Sequence, residues 1–171
     1  MILDLVVNHT SDEHAWFQES RDPASAKRDW YIWRPAREGH EPGTPGAEPT
    51  NWGSFFGGSG WQYDERSGEY YLHLFAKNQP DLNYRNPKVL AEVKDILRFW
   101  LNKGIAGFRC DVINIIWKSS LENGRWRPAL KGLEHYLSQE GCHRILQELR
   151  REIFDHYDCF TVGETGFVTT Q

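Results

Sequence analysis

No run in the 171 residues approaches the roughly 18 to 20 apolar residues of a membrane span. The N-terminus also lacks the basic stretch, apolar core and small-residue cleavage site of a secretory signal. A soluble, unexported chain with no membrane partner is therefore expected. Cysteine is scarce and odd in number: Cys110, Cys142 and Cys159 lack metal-ligand spacing. That argues against a disulfide framework or a thiolate metal site and points to reduced thiols in a cytoplasmic setting. Excess positive charge is missing too, with 20 Lys and Arg interspersed among 24 Asp and Glu, so no patch forms to neutralise phosphates and nucleic acid is not an expected partner. Gly57-Gly58-Ser59-Gly60 lacks the Lys-Ser/Thr ending of a phosphate loop and reads as a turn. No internal repeat or low-complexity tract is present.

Aromatic side chains are abundant instead. They make up 14% of the residues, with eight Trp, and flat rings with polar edges suit both sugar faces and an ordinary core. Hydrophobic residues reach 39%, enough for one globular core and too many for general disorder.

Along the chain, Met1 to Val7 reads as a buried strand running into the polar Asn8-His9-Thr10-Ser11. It begins so abruptly that the chain is expected to be an internal segment. From Arg21 to Arg85 the composition shifts to Gly, Pro, Trp and Tyr, as in a small irregular subdomain, with strands expected at Trp30 to Trp33 and Tyr70 to Phe75. The clearest helix follows: Asn86 can cap it, Pro87 suits its first position, and Val89, Val93, Ile96, Leu97, Trp100 and Leu101 form one apolar stripe up to Gly104. Ala106 to Val112 is a second buried strand. A helical pattern through Ile145, Leu146, Leu149, Ile153 and Phe154 leads to a third strand at Phe160 to Glu164. The expected organisation is a strand over residues 1–9, an inserted subdomain over 10–85 and a helix-strand-helix-strand segment over 86–171. Such alternation predicts a parallel sheet with right-handed crossovers.

Each expected strand finishes on polar or acidic residues, where parallel α/β folds build their sites. Strand side chains alternate faces, so Arg109 and Asp111 share one, as do Asp4 and Asn8, and Val162 and Glu164. An Arg beside Asp111 can keep that carboxylate ionised and nucleophilic. Glu164 would need to remain protonated to donate to a leaving oxygen. On spacing alone, Arg109 and Asp111 fit a structural ion pair equally well, and Asn8-His9 could merely turn a loop or cap a helix.

Four ordered motifs now carry a resemblance. Asp4-Leu5-Val6-Val7-Asn8-His9-Thr10-Ser11, Gly107-Phe108-Arg109-Cys110-Asp111-Val112-Ile113-Asn114 and Thr161-Val162-Gly163-Glu164 resemble three signatures of the α-amylase superfamily of glycoside hydrolases. Between them, Gln79-Pro80-Asp81-Leu82-Asn83 is similar to the short motif of the branch containing oligo-1,6-glucosidases. The resemblance implies a TIM (β/α)8 barrel, of which this chain would hold about the third to fifth strands, with the irregular subdomain inserted after the third. A whole barrel needs eight strands and roughly 250 residues. It implies Asp111 as nucleophile, Glu164 as general acid/base, Arg109 as the partner orienting the nucleophile and His9 as a sugar contact. Asp4 and Asn8 would support the strand end and Asn114 would stand behind the site.

The reaction implied is retaining α-glucosidase hydrolysis of an oligosaccharide. Val112 after the nucleophile resembles the branch preferring α-1,6 links. Trehalose-6-phosphate hydrolase, α-1,4-glucosidase, sugar transfer or isomerisation, and a noncatalytic barrel relative are the alternatives. Trp52, Phe55, Phe56 and Trp61 line either the substrate mouth or the core of the insertion. No cofactor is expected in this segment; any calcium loop that relatives carry would lie in the absent early strands, and the fourth signature is absent as well. A slice with unpaired strand edges is expected to be unstable or to self-associate.

Overall fold

In a computed structural model, residues 1–167 are described. The expected stretch 86–171 therefore extends four residues beyond them. In chain order the elements are β1 (Ile2–Leu5), α1 (Ala15–Ser20), β2 (Trp33–Arg34), β3 (Trp61–Asp64), β4 (Glu69–Leu72), α2 (Pro87–Asn102), β5 (Gly107–Cys110), α3 (Glu140–Glu152) and β6 (Phe160–Gly163), with short 3-10 turns between. The chain divides into two compact units. One holds Met1–Asn8, Tyr84–Ser119 and the residues from Tyr136 onward; the other holds His9–Asn83 and Ser120–His135.

The first unit is built on a parallel sheet in the order β1-β5-β6. Its register aligns Asp4 with Arg109 and Arg109 with Val162. Glycine is demanded at Gly107: its φ is +147°, and a Cβ there would lie 1.7 Å from the Phe160 carbonyl oxygen, so any side chain would drive β6 away from β5. The helix α2 begins as its sequence dictates, with the Asn86 side chain accepting from the Lys88 N–H and Pro87 in the first turn. It buries Val89, Val93, Leu97 and Leu101, each worth about 1.5–3 kcal/mol against exposure. Ile96 and Trp100, part of the expected stripe, instead remain 36% and 38% exposed, because that stripe is wider than the face the unit covers. Cys110 and Cys142 are buried and form no disulfide, and burial pushes both thiols up to about 11.

The second unit holds an antiparallel sheet in the order β2-β4-β3. Its hairpin pairs Trp61 with Leu72 and Asp64 with Glu69, turning through Gly68 at φ +72°. Trp30 to Trp33 does not form a continuous strand: Arg28–Trp30 is a 3-10 turn, Tyr31 makes a single bridge to Leu82, and only Trp33–Arg34 pairs with β4. Here Phe17 meets Tyr31, Trp33 and Tyr71 at ring centroids 5.1, 5.6 and 5.0 Å apart, so much of the aromatic content is core. Trp52 and Trp61 are 1% and 3% exposed, and their indole N–H groups donate to the Glu122 carbonyl and the Thr50 hydroxyl. Both are packing residues of this unit.

Candidate active site

The parallel register carries Asp111 and Glu164 one residue past the ends of adjacent strands. The backbone confirms the pairing, since the Glu164 N–H donates to the Cys110 carbonyl at 2.8 Å and the Asp111 N–H to the Leu5 carbonyl at 3.0 Å. Between the two carboxylates sits the Arg109 guanidinium. It donates from Nη1 to Asp111 Oδ1 at 2.8 Å and from Nη2 to Glu164 Oε2 at 2.6 Å, and Asp4 Oδ1 lies 3.6 Å from Nη1. One cation thus gathers three acids. The Asp111 hydrogen bond, with the charges of Glu164 and Asp4, holds Arg109 above its ordinary range against a smaller effect of desolvation, so it stays charged. The fork geometry of Arg suits this bridging where a Lys point charge would not. Asp111 is 21% exposed and Glu164 49%: the site faces solvent in this segment.

The turn after Asp111 is strained. Val112 has φ +39° and ψ +39°, a left-handed conformation that is a genuine outlier for a β-branched residue and costs on the order of 1–3 kcal/mol. It redirects the chain so that the Ile113 N–H donates to the Glu164 carbonyl at 3.2 Å. Asn114, 6% exposed, donates from Nδ2 to the Gly166 carbonyl at 3.0 Å and to the Ser138 hydroxyl at 3.2 Å.

Asn8 stands apart from this cluster. It is fully buried and accepts at 2.9 Å from Nζ of Lys118, itself 4% exposed. The Tyr84 hydroxyl donates to the Val7 carbonyl at 2.7 Å, and Arg85 donates to the Lys118 and Ser119 carbonyls. Asn8 is therefore a buried anchor of the β1 exit, while Asp4 is 65% exposed on its side chain. Sequence reasoning passed over Lys118; the signal available was a lysine closing the apolar run Ile113-Asn114-Ile115-Ile116-Trp117.

His9 belongs to the second unit. It is bridged to Asp81, its Nε2 lies 3.0 Å from Nε2 of Gln79, and its ring lies 5.3 Å from that of Phe75. Phe55 stacks on Phe75 at 4.9 Å, and the exposed Phe56 meets it edge-on at 5.9 Å. Gln79 and Phe75 went unassigned from sequence, although Gln79 opens the quoted Gln79–Asn83 motif.

Among the described residues, no group of three or more His, Cys, Asp and Glu could hold a metal ion, and no helix is long and apolar enough to cross a membrane. Acids collected at the carboxyl ends of parallel strands stand where α/β folds build their sites. The chain belongs to the alpha-amylase family, whose catalytic-domain model matches residues 1–171. An oligo-1,6-glucosidase of Parageobacillus thermoglucosidasius is 52% identical over 174 residues, covering 99% of this chain and 30% of the relative. The crystal structure of the Bacillus licheniformis trehalose-6-phosphate hydrolase superposes with TM-score 0.87 at 43% identity, over 98% of this chain and 29% of that one. An Erwinia rhapontici isomaltulose synthase mutant in complex with D-glucose superposes with TM-score 0.86 at 41% identity, over 99% and 30%. The chain spans about 30% of the length of the curated relatives it matches.

Proposed function

We propose that this chain is the segment of a retaining α-glucosidase that carries both catalytic carboxyl groups, within the third to fifth strands of a (β/α)8 barrel and the subdomain inserted after the third. The observation that carries the reading is the placement of Asp111 and Glu164 just past the ends of adjacent parallel strands, joined by one guanidinium. Adjacent strands lie about 4.8 Å apart. Carboxyl groups carried at the ends of neighbouring strands and gripped by one guanidinium favour the close pair, roughly 5–5.5 Å apart, of retaining glycosidases.

In the first step a carboxylate oxygen of Asp111 bonds to the anomeric carbon while the glycosidic C–O bond breaks, and the proton on Glu164 passes to the departing oxygen. In the second, Glu164 takes a proton from water. The water oxygen bonds to the anomeric carbon and the ester to Asp111 breaks, releasing glucose with its original anomeric configuration. Arg109 keeps Asp111 ionised and aims it. We assign a sugar contact to His9, with Gln79 holding its ring and Phe75 and Phe55 as apolar faces in the same unit. Asp4 supports Arg109, and Asn8 supports the β1 exit. The mechanism itself calls for no cofactor, and three free thiols support a reducing, cytoplasmic setting. The free strand edges support self-association of the isolated segment.

Val112 beside the nucleophile and the 52% identity to an oligo-1,6-glucosidase favour isomaltose-type α-1,6 oligosaccharides. The likeness to a trehalose-6-phosphate hydrolase structure supports a second reading. Rates measured for the full-length enzyme on isomaltose, maltose and trehalose-6-phosphate separate them. Isomaltose is expected to show a kcat/KM at least about 10-fold above maltose, the scale of one favourable contact of about 1.4 kcal/mol. A preference for trehalose-6-phosphate would move the assignment to the phosphorylated substrate, and a preference for maltose to α-1,4 links.

A further inference from the structure

We infer that Asn114 is the positioning residue of the general acid, acting through the Gly166 carbonyl to fix the strand exit that carries Glu164. The inference rests on the reading of Glu164 as acid/base. Three observations converge on it. The left-handed Val112 lifts the chain off the line of β5, and without that turn neither Ile113 nor Asn114 would face the exit of β6. The exit is then held at two points, the Glu164 carbonyl by the Ile113 N–H and the Gly166 carbonyl by Asn114 Nδ2, one at the acid and one two residues beyond it.

Asn114 is itself clamped. Its carbonyl accepts from the Ser138 N–H at 2.7 Å while its Nδ2 also reaches the Ser138 hydroxyl, and the thiol of the buried Cys142 donates to the Ile113 carbonyl at 3.0 Å. The amide cannot move without disturbing α3's approach. Its Oδ1 is buried without a hydrogen-bond partner, a desolvation penalty of about 1–3 kcal/mol. A side chain that donates twice from Nδ2 has to carry the oxygen along.

Glu164 is 49% exposed and its carboxyl is tied only on the Arg109 side among the contacts described, so the direction of its acidic oxygen depends on where the backbone at 164–166 is pinned. Arg109 holds the carboxyl against Asp111, and Asn114 holds the peptide behind it. A shift of that peptide by about 1 Å is enough to lose on the order of 10²-fold in a proton transfer that requires alignment.

The test exploits leaving groups. Protonation of the departing oxygen matters for isomaltose, whose leaving sugar is a poor anion, and hardly for α-glucosyl fluoride, whose fluoride departs with little protonic help. In the full-length enzyme, Asn114→Asp keeps the shape of the side chain and removes the Nδ2 donor, and Asn114→Ala removes both donor and orphan oxygen. We expect kcat/KM on isomaltose to fall about 10- to 100-fold in each variant, within the general-acid range. On α-glucosyl fluoride the fall should stay within about 3-fold, well under one 1.4 kcal/mol decade. Equal losses on the two substrates, as from a chain that no longer folds, or no loss on either, would overturn the inference. Glu164→Gln is run beside them. If it shows no leaving-group dependence, the failure lies in the reading of Glu164 and not in Asn114.

Discussion

In the full-length enzyme, Asp111→Asn is expected to lower kcat/KM by on the order of 10⁴-fold or more on every substrate, α-glucosyl fluoride included, the scale seen when a nucleophile is removed. Asn matches the shape of Asp and can accept the Arg109 hydrogen bond at its carbonyl oxygen, so the loss is chemical. An amide oxygen forms no stable ester with an anomeric carbon, and no leaving group compensates for a missing attack. Arg109 would still hold Glu164, which should leave the variant folded with a melting temperature close to wild type. Activity within about 10-fold of wild type, one decade or 1.4 kcal/mol, would remove Asp111 from the nucleophile's role and leave its bond to Arg109 as a structural ion pair.

The second large effect belongs to Glu164→Gln. Loss of general-acid help should reduce kcat/KM on isomaltose about 10²- to 10⁴-fold, with a much smaller reduction on α-glucosyl fluoride. Gln cannot release a proton, yet it fills the same space and its carbonyl can still accept from Arg109 Nη2. Asp111 stays intact, so a good leaving group should still depart and load the nucleophile. Turnover of the resulting ester would then be slow, because no base takes the proton of the attacking water, and an initial burst on α-glucosyl fluoride is the expected sign. The two variants therefore differ in kind. One fails at attack whatever the substrate; the other fails in proportion to the need for a proton.

Much of the frame behind these residues was legible in the sequence because it follows local rules. Apolar runs ending in polar or acidic residues marked β1, β5 and β6, and the Asn86-Pro87 start with a helical stripe gave α2 to within two residues of its end at Asn102. Arg109 and Asp111 were expected on one face, and the 2.8 Å contact places them there. What stayed hidden depends on partners distant in sequence. β3 reads weakly alone, with Gln62 and Asp64 breaking its apolar run, and exists because β4 pairs with it. Trp30 to Trp33 has strand-like residues, but burial of Trp30 and Tyr31 in an aromatic cluster leaves only two residues for the sheet. Nothing local shows that Ser120–His135 packs with His9–Asn83; the contacts made by Asn51 to Asn123 and Gly124 span more than seventy residues.

The site divides along the same line. The family resemblance, and not spacing alone, singled out Asp111, Glu164, Arg109 and His9 as candidates. It could not show that Asn8 is buried against Lys118, that Val112 is forced into a left-handed turn, or that Gln79 and Phe75 pack around His9. None of these follows a periodicity that would announce it.

Covalent trapping tests the central claim most directly. Full-length enzyme is incubated with 5-fluoro-α-glucosyl fluoride, whose second fluorine slows breakdown of the ester, then digested with protease and the labelled peptide sequenced by mass spectrometry. The account predicts a single glycosyl adduct on the peptide containing Asp111, at its carboxylate, and no adduct in Asp111→Asn. An adduct on Glu164, or steady turnover with inverted anomeric configuration and no adduct, would contradict it.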